Sequence, residues 1–183
     1  MNIFFTSDTH FSHKNIIDFC NRPFNSVEEM DEALIKNWNS VVSNKDTVYH
    51  LGDFCFASPK KIEEIINSLN FDKLFVIRGN HDGNFYKWYK RDGNKKAKVS
   101  LYPPYFELKF ENKFFVMSHY PILEWNRCHH GAYHLYGHVH NENPCHEISD
   151  YRSMNVGVDV NDYLPVSLES VIDQLKDRKI KGH

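Results

Sequence analysis

The sequence predicts a layered α/β fold in which two packed β-sheets lie between outer helices. Strand-like and helix-like segments alternate through the first half of the chain, in the order β-α-β-α-β. The second half is rich in short strand-like segments. Neither a repeat nor a linker interrupts the 183 residues, so we expect residues 1–183 to form a single domain with a sizeable core.

Short apolar segments with the length and composition of strands occur in both halves of the chain. In the first half they are NIFFTS at residues 2–7, DTVYHLG at 46–52 and DKLFVIRG at 72–79. In the second half they are a hairpin at 105–119 that turns at 111–113, and single strands at 131–138 and 153–159.

Each predicted helix begins at a serine that can cap its N-terminus. Ser26 is the expected N-cap of the helix in residues 25–42, where Glu29 would complete a capping box. The remaining two helices are predicted at residues 58–69, with Ser58 as the cap, and at 167–176, with Ser167 as the cap.

The composition excludes several classes of protein. The apolar runs are too short to span a bilayer, and the first ten residues lack the features of a signal peptide. Four scattered cysteines with no C-x-x-C pair predict reduced thiols and a cytoplasmic location. A formal net charge of −2 argues against a general nucleic-acid coat. No obligatory protein partner is indicated, and the oligomeric state stays open.

Polar side chains of the metal-binding type follow almost every predicted strand. Ligands of layered α/β folds bind outside the carboxyl ends of the strands, so we expect these side chains to converge. One such residue alone would be taken as a turn or cap residue, but five strand ends together favour a metal and catalytic site. The residues are Asp8 and His10, then Asp53, then Asn80, His81 and Asp82, then His119, and finally His138 and His140.

The segment YGHVH places His138 and His140 two positions apart. In an extended segment both side chains point to the same face, which suits part of a metal site. For an isolated motif of this length, a histidine pair on a solvated loop is the alternative.

Five ordered blocks carry a family resemblance. They are D-x-H at 8–10, G-D at 52–53, G-N-H-D at 79–82, H at 119 and G-H-x-H at 137–140. This set resembles the calcineurin-like metallophosphoesterase superfamily, in its small bacterial or phage type. The resemblance implies a four-layer α-β-β-α sandwich with two mixed β-sheets, and a hydrolase that acts on phosphate esters.

The resemblance also implies two divalent metal ions, with manganese expected first and iron, zinc, nickel, cobalt or magnesium as alternatives. Two ions about 3.5–4 Å apart lower the pKa of bound water, which attacks the ester, and they clamp the phosphoryl oxygens. Asp53 would bridge the ions, and each ion would take three further ligands: Asp8, His10 and His140 for the first, and Asn80, His119 and His138 for the second.

His81 and Asp82 are the expected catalytic pair. By the resemblance His81 binds no metal, and it donates a proton to the leaving alkoxide or stabilises the phosphoryl oxygens. Asp82 resembles the carboxylate that orients His81, with a simple turn residue before Gly83 as the alternative.

Departures from the family pattern narrow the substrate. The serine/threonine phosphatases of the superfamily continue G-D-x-x-D-R, whereas residues 52–58 read GDFCFAS. The chain also has no room for the DNA-binding segments of the large repair nucleases. We expect the substrate to be a phosphate ester, and nucleotide-like esters are among the candidates. The sequence does not distinguish monoester from diester hydrolysis.

Three residues near the blocks are candidate substrate contacts. His13 and Asn15 are expected at the rim of the site, with an ordinary helix start as the alternative. Arg78 would hold either a phosphate or a neighbouring carboxylate.

Residues 84–100 form a basic stretch with interleaved aromatic side chains directly after the G-N-H-D block. One hypothesis is a lid that stacks a base and attracts phosphate, for which Lys95, Lys96 and Lys98 supply charge. The alternative is a solvated helix whose aromatic side chains pack into the core.

Two rival functions compete with an enzyme. A catalytically silent phosphoesterase-fold module that binds partners is expected to lack ligands, and none is missing from the blocks. A protein with one structural metal would need neither the second set of ligands nor a histidine such as His81 that is free to act on substrate.

Overall fold

The computed structural model describes residues 1–93, 98–140 and 146–182. Within these ranges the strands are β1 (Ile3–Thr6), β2 (Thr47–His50), β3 (Lys73–Ile77), β4 (Val99–Tyr102), β5 (Tyr105–Phe110), β6 (Lys113–Ser118), β7 (Tyr133–Tyr136), β8 (Ser153–Asn155) and β9 (Val166–Ser167). The helices are α1 (Lys14–Phe19), α2 (Val27–Val41), α3 (Pro59–Ser68), α4 (Gly83–Arg91), α5 (His146–Ser149) and α6 (Leu168–Leu175).

The strands form two mixed sheets. The first has the order β4-β3-β2-β1-β9, in which β1 to β4 are parallel and β9 is antiparallel to β1. The second has the order β5-β6-β7-β8, with the predicted β5–β6 hairpin antiparallel and the other pairs parallel. The carboxyl ends of β1, β2 and β3 therefore share one edge, and those of β6, β7 and β8 share another.

Alternating side chains build the layers of the molecule. In β1, Phe4 packs against the helices, whereas Ile3 and Phe5 point into the core between the sheets. Helices α2, α3 and α4 cover the outer face of the first sheet, and a short 3₁₀ turn with α5 covers part of the second. The predicted layered α/β fold is thus confirmed.

All three predicted capping serines cap their helices. Ser26, Ser58 and Ser167 each accept a hydrogen bond from the N–H three residues later. The Glu29 carboxylate accepts from the N–H of Asn25, one residue before the cap, so the predicted capping box is shifted by one position. The strands β4 and β9 are not predicted by the sequence pattern. Both are short, with four residues in β4 and two in β9.

None of the described helices combines the length and the apolar character needed to cross a membrane.

Candidate metal centre

Two clusters of possible metal ligands form where the strands end. Asp8, His10 and His140 make the first cluster, and Asp53, His119 and His138 make the second. Within each cluster the candidate ligand atoms lie within 4.8 Å of one another. The convergence predicted from the strand ends is therefore present in the structure, although the residues are up to 132 positions apart in the chain, from Asp8 to His140.

Asp53, a member of the second cluster, also borders the first cluster. Its Oδ2 atom is 3.6 Å from His10 Nε2 and 3.4 Å from His119 Nε2, and its Oδ1 atom accepts the His81 N–H at 2.8 Å. Burial raises the pKa of this carboxyl, but the hydrogen bond and charge of His119, the charge of His10 and the His81 amide outweigh it and bring the pKa to about 2. Asp53 is thus an ionised carboxylate that faces both clusters.

Buried atoms without hydrogen-bond partners mark the first cluster. Asp8 Oδ1 and both ring nitrogens of His10 are buried and unpartnered. Unpaired buried polar atoms are costly, so such a group indicates a bound species that completes their bonding. Burial raises the pKa of Asp8 to about 6, even though His119 and His140 act in the opposite direction. A carboxylate and an imidazole with free lone pairs fit a divalent transition-metal ion.

In the second cluster, lone pairs crowd around His119. The Nδ1 atom of this ring lies 2.9 Å from the Leu51 carbonyl oxygen, to which it can only donate. Burial lowers the pKa of His119, but the Asp53 carboxylate and the charge of Asp8 outweigh it and raise the pKa above its ordinary value. In the neutral form, which is the form that binds a metal, Nε2 carries a lone pair that faces Asn80 Oδ1 at 2.8 Å as well as the Asp53 carboxylate. Three lone-pair donors that converge in this way suit a cation, so the predicted ligand Asn80 is also in place.

Five of the predicted ligands have left-handed backbone conformations. The φ angles are 57° at Asp8, 49° at His10, 56° at Asp53, 71° at His138 and 28° at His140. Non-glycine residues in this region are strained, and such strain clusters at functional sites where the surroundings enforce it. The left-handed conformation turns the chain sharply, so residues that follow a strand at close spacing can still point into a common centre.

Two glycines allow the ligand loops to meet. A Cβ atom at Gly52, which has a φ of 103°, would come within 2.6 Å of Gly79 N and 2.8 Å of His119 Nδ1. A Cβ atom at Gly137 would collide with the Ser7 hydroxyl and the Asp8 carboxylate. These positions therefore require glycine because backbone and ligands pack directly against them.

Asp82 lies between the loops that follow β2 and β3. Its buried carboxylate accepts three backbone hydrogen bonds, from Gly79 N at 2.7 Å, Phe54 N at 2.8 Å and Asp53 N at 2.9 Å. These hydrogen bonds hold the β2 and β3 loops together, and the orientation of His81 by Asp82 stays a prediction. Unpaired backbone N–H groups would be costly in this interior, which is the physical reason for a buried acid here.

Arg22 and Asp159 support the first cluster, and neither was predicted from the sequence. The Arg22 guanidinium binds both Asp159 oxygens at 2.8 Å and donates to the carbonyls of Asp8 at 2.7 Å and Thr9 at 3.0 Å. Asp159 in turn lies 2.7 Å from His140 Nδ1. The only sequence signal was an acid between valines in VGVDV, which is unusual unless its charge is paired.

This support fixes the orientation of His140. Donation from Nδ1 to a carboxylate leaves Nε2 as the atom that can bind an ion, an arrangement common for metal-binding histidines. Burial lowers the pKa of His140, but Asp159, Cys20 and Asp8 raise it to about 10. Cys20, His140 and Asp159 also lie close enough to hold an ion, but the Arg22 ion pair already balances the charge of Asp159.

His81 stands at the open side of the centre. Its side chain is exposed, and its ring lies 5.7 Å from the His10 ring and 5.0 Å from the Phe56 ring. His13, a predicted substrate contact, stacks on Phe56 at 3.9 Å and lies 5.3 Å from His10. Tyr120, which is 45% exposed, borders the second cluster with its ring 4.5 Å from that of His138.

The other two predicted substrate contacts behave differently. Asn15 is exposed in the first turn of α1, and the structure gives it no hydrogen bond to either cluster, which matches an ordinary helix start. Arg78 is exposed and lies over the Tyr86 ring at 4.9 Å. Among the described residues it has no carboxylate partner, so the expected ion pair is absent there.

The segment of residues 84–100 is described only in part. Phe85 and Trp88 are buried in the core, and Trp88 Nε1 donates to Glu63 at 2.8 Å, which agrees with the packed-helix alternative. Lys98 lies 3.9 Å from Asp72 on the surface. Lys95 and Lys96 lie outside the described residues, so the lid hypothesis stays a prediction.

Two proteins of unknown function are similar to this chain over nearly its whole length. A protein of Methanocaldococcus jannaschii that is named as uncharacterized is 37% identical over an alignment of 187 residues. The alignment covers 97% of this chain and 93% of that protein. The crystal structure of a protein of unknown function from Aquifex aeolicus has a TM-score of 0.74 and 27% identity, and the match covers 95% and 99% of the two chains.

A solved archaeal phosphodiesterase has the same fold. Its TM-score is 0.51 at 23% identity, and the match covers 86% of this chain and 84% of that one. A family model described as the calcineurin-like phosphoesterase superfamily domain matches residues 1–161, a range that contains every ligand of both clusters. The chain therefore belongs to the calcineurin-like phosphoesterase superfamily.

Proposed function

We propose that this protein is a dinuclear metal-dependent phosphoesterase that hydrolyses a phosphomonoester or a phosphodiester. The observation that carries the proposal is the position of Asp53, whose Oδ2 atom lies within 3.6 Å of a histidine from each cluster. A carboxylate can bridge two cations, whereas a neutral imidazole cannot. The superfamily to which the chain belongs supports the reaction class.

Seven side chains would hold the two ions. Two such ions supply a nucleophile at neutral pH and a positive counter-charge for the phosphoryl oxygens. The residues that would bind them are Asp8, His10 and His140 on one side, Asn80, His119 and His138 on the other, and Asp53 between them. Manganese is our first choice of ion, and the mixed nitrogen and oxygen ligands suit iron, zinc, cobalt or nickel as well.

His81 would act on the substrate itself. Its exposed ring borders the first cluster, and its backbone N–H is fixed by Asp53 at 2.8 Å. From this position it would donate a proton to the leaving oxygen, a contribution typically worth about 10²–10⁴-fold in rate. The Asp53 carboxylate thus orders the His81 backbone and both clusters together.

The test is a kinetic comparison of His81→Ala with the parent protein, loaded with manganese. Substrates are phosphomonoesters, diesters and 2′,3′-cyclic nucleotides, each with good and poor leaving groups. We expect His81→Ala to keep both ions and to lose turnover, with the smaller loss for p-nitrophenyl esters because they need little protonation. His129→Ala, which removes an exposed histidine of the 3₁₀ turn, is the control.

Two results would count against parts of this proposal. Loss of metal from His81→Ala would make His81 a ligand and overturn the assignment. Absence of hydrolysis by the fully loaded parent protein across the whole panel would favour the rival function, a phosphoesterase-fold module that binds without catalysis.

A further inference from the structure

A cavity with a strongly basic lining lies away from the metal centre. Its volume is about 330 Å³, and it opens between the β5–β6 hairpin, the loop before β7 and the start of β8. The β7 strand separates it from the metal ligands, because Tyr133 at the amino end of the strand lines the cavity whereas Gly137 to His140 follow the carboxyl end. A strand of four residues spans roughly 13 Å.

The charge of this cavity is unbalanced. Lys109, Lys113, Arg127 and Arg152 line it together with His130, and no aspartate or glutamate among the described residues does. Across the described ranges none of these four cations forms an ion pair with a carboxylate. Cations gathered without counter-charges repel each other, and the protein as a whole carries a net charge of −2. The accumulation is therefore local.

Aromatic rings hold the two guanidinium groups in place. Arg127 lies over the Phe114 ring at 5.2 Å, and Arg152 lies over the Tyr133 ring at 5.3 Å. Stacking of this kind orients the plane of a guanidinium group without itself occupying the N–H donors of that group. Uncharged rings thus position the two guanidinium groups, and these contacts add no negative charge that would neutralise them.

Arg152 has an unsatisfied donor. Its Nη atoms donate to the Gly131 carbonyl at 3.3 Å and the Lys176 carbonyl at 2.9 Å, but its Nε atom is buried and has no partner. Gly131 has a φ of 79°, and a Cβ atom there would approach Arg152 Nη1 to 3.0 Å. A glycine at this position therefore leaves room for the guanidinium group beside the cavity.

We infer that this cavity binds a small polyanion that carries phosphate groups, such as inorganic phosphate, pyrophosphate or the diphosphate of a nucleotide. Guanidinium groups match phosphate oxygens in geometry, and lysines add mobile point charges. The volume is at the lower end of small-molecule sites, which fits a compact anion. The inference does not rest on the proposed catalytic function, because the cavity shares no residue with the metal centre.

The experiment locates binding by NMR on the intact ¹⁵N-labelled protein. The probes are inorganic phosphate and a nucleoside diphosphate with a methylene bridge, which is not hydrolysed. The backbone amides of Gly131 and Ala132 report on the cavity, and those of His138 and Val139 report on the metal centre. We expect saturable shifts of Gly131 and Ala132 that weaken as salt is added.

A matched pair of variants tests the charges. Lys113→Ala with Arg127→Ala should raise the Kd read at Gly131 at least tenfold. Lys45→Ala with Lys60→Ala removes the same charge from exposed positions elsewhere and should change it less than twofold. If the first double variant does not fold, Lys109→Ala with Lys113→Ala replaces it, since both side chains lie on the hairpin.

Three outcomes would overturn the inference. One is an equal effect of the cavity and control variants on the Kd at Gly131. Another is a shift confined to His138 and Val139, which would place the phosphate at the metal centre alone. The third is binding of a single-stranded oligonucleotide at Gly131 with no response to either small probe.

Discussion

The two ligand clusters differ in what surrounds them. In the first cluster, Asp8 and His10 are almost fully buried, and the ion pair of Arg22 with Asp159 supports both His140 and the loop of Asp8. In the second, His119 is supported by a backbone carbonyl, Asn80 is exposed and His138 is only half-buried.

This difference has a physical consequence for metal binding. A ligand held by a charged and buried network loses little freedom when an ion binds, whereas an exposed amide such as Asn80 must be immobilised. The first cluster should therefore bind its ion more tightly, and the second should exchange its ion more easily. Substitutions at and behind the ligands of each cluster test this asymmetry.

Asp53→Asn should affect both clusters at once because it removes the shared negative charge. We expect metal content to fall below two ions. Activity should fall by more than the roughly 10–100-fold that is typical when a residue that hydrogen-bonds to a metal ligand is mutated. Elemental analysis and steady-state kinetics measure this, with Asp173→Asn on the surface of α6 as the control. Two ions retained at full activity would rule out a bridging role.

Asp159→Asn should weaken the first cluster selectively. The substitution leaves Arg22 buried without its counter-charge, so unfolding should become easier by about 3–5 kcal/mol, and affinity for the first ion should fall roughly 10–100-fold. Calorimetric titration with manganese and thermal unfolding measure the two effects.

Two further variants complete that experiment. Asp150→Asn breaks an exposed ion pair with Lys179 and should change neither quantity measurably. Asp159→Glu restores the charge and should recover part of the affinity. If Asp159→Asn lowered affinity at both clusters equally, the asymmetry would be wrong.

Asn80→Ala should weaken the second cluster only, by about tenfold, since one of its ligands is lost. Stability should hardly change because the side chain is exposed and its contact is with His119. The same titration should show one tight site and one weakened site. A loss of the tighter site instead would reverse the order of affinities proposed here.

Cys20→Ala should have the smallest effect. The thiol contacts His140, but Asp159 already fixes the Nδ1 atom of that ring at 2.7 Å. We expect affinity for the first ion to change less than threefold in the titration. A loss as large as that of Asp159→Asn would show that the thiol, and not the carboxylate, positions His140.

The features that were predicted correctly have signals within a few residues of the chain. A capping serine acts on an N–H three residues away, so Ser26, Ser58 and Ser167 could be read from short segments. The ligand types also stand in short blocks behind apolar strands, such as Asp8 and His10 after β1. The two-sheet fold follows from the same alternation of segments.

By contrast, the sequence alone did not reveal the role of Asp82 or of Arg22. Asp82 looks like a catalytic residue or a turn residue in its block, and only the approach of the β2 loop to the β3 loop makes it a clamp for three amides. Arg22 and Asp159 are 137 positions apart in the chain, and no local sequence pattern predicts that they form an ion pair.

Periodicity and neighbours within a few residues encode the class of fold, the types of candidate ligand and their attachment to strand ends. The tertiary structure alone decided which ligands share a cluster, which of them is supported by a buried ion pair, and that four cations surround one cavity. Those features depend on how strands pair and how loops pack. The free energy of such long-range contacts is set by burial and charge in three dimensions, which no short segment of the chain contains.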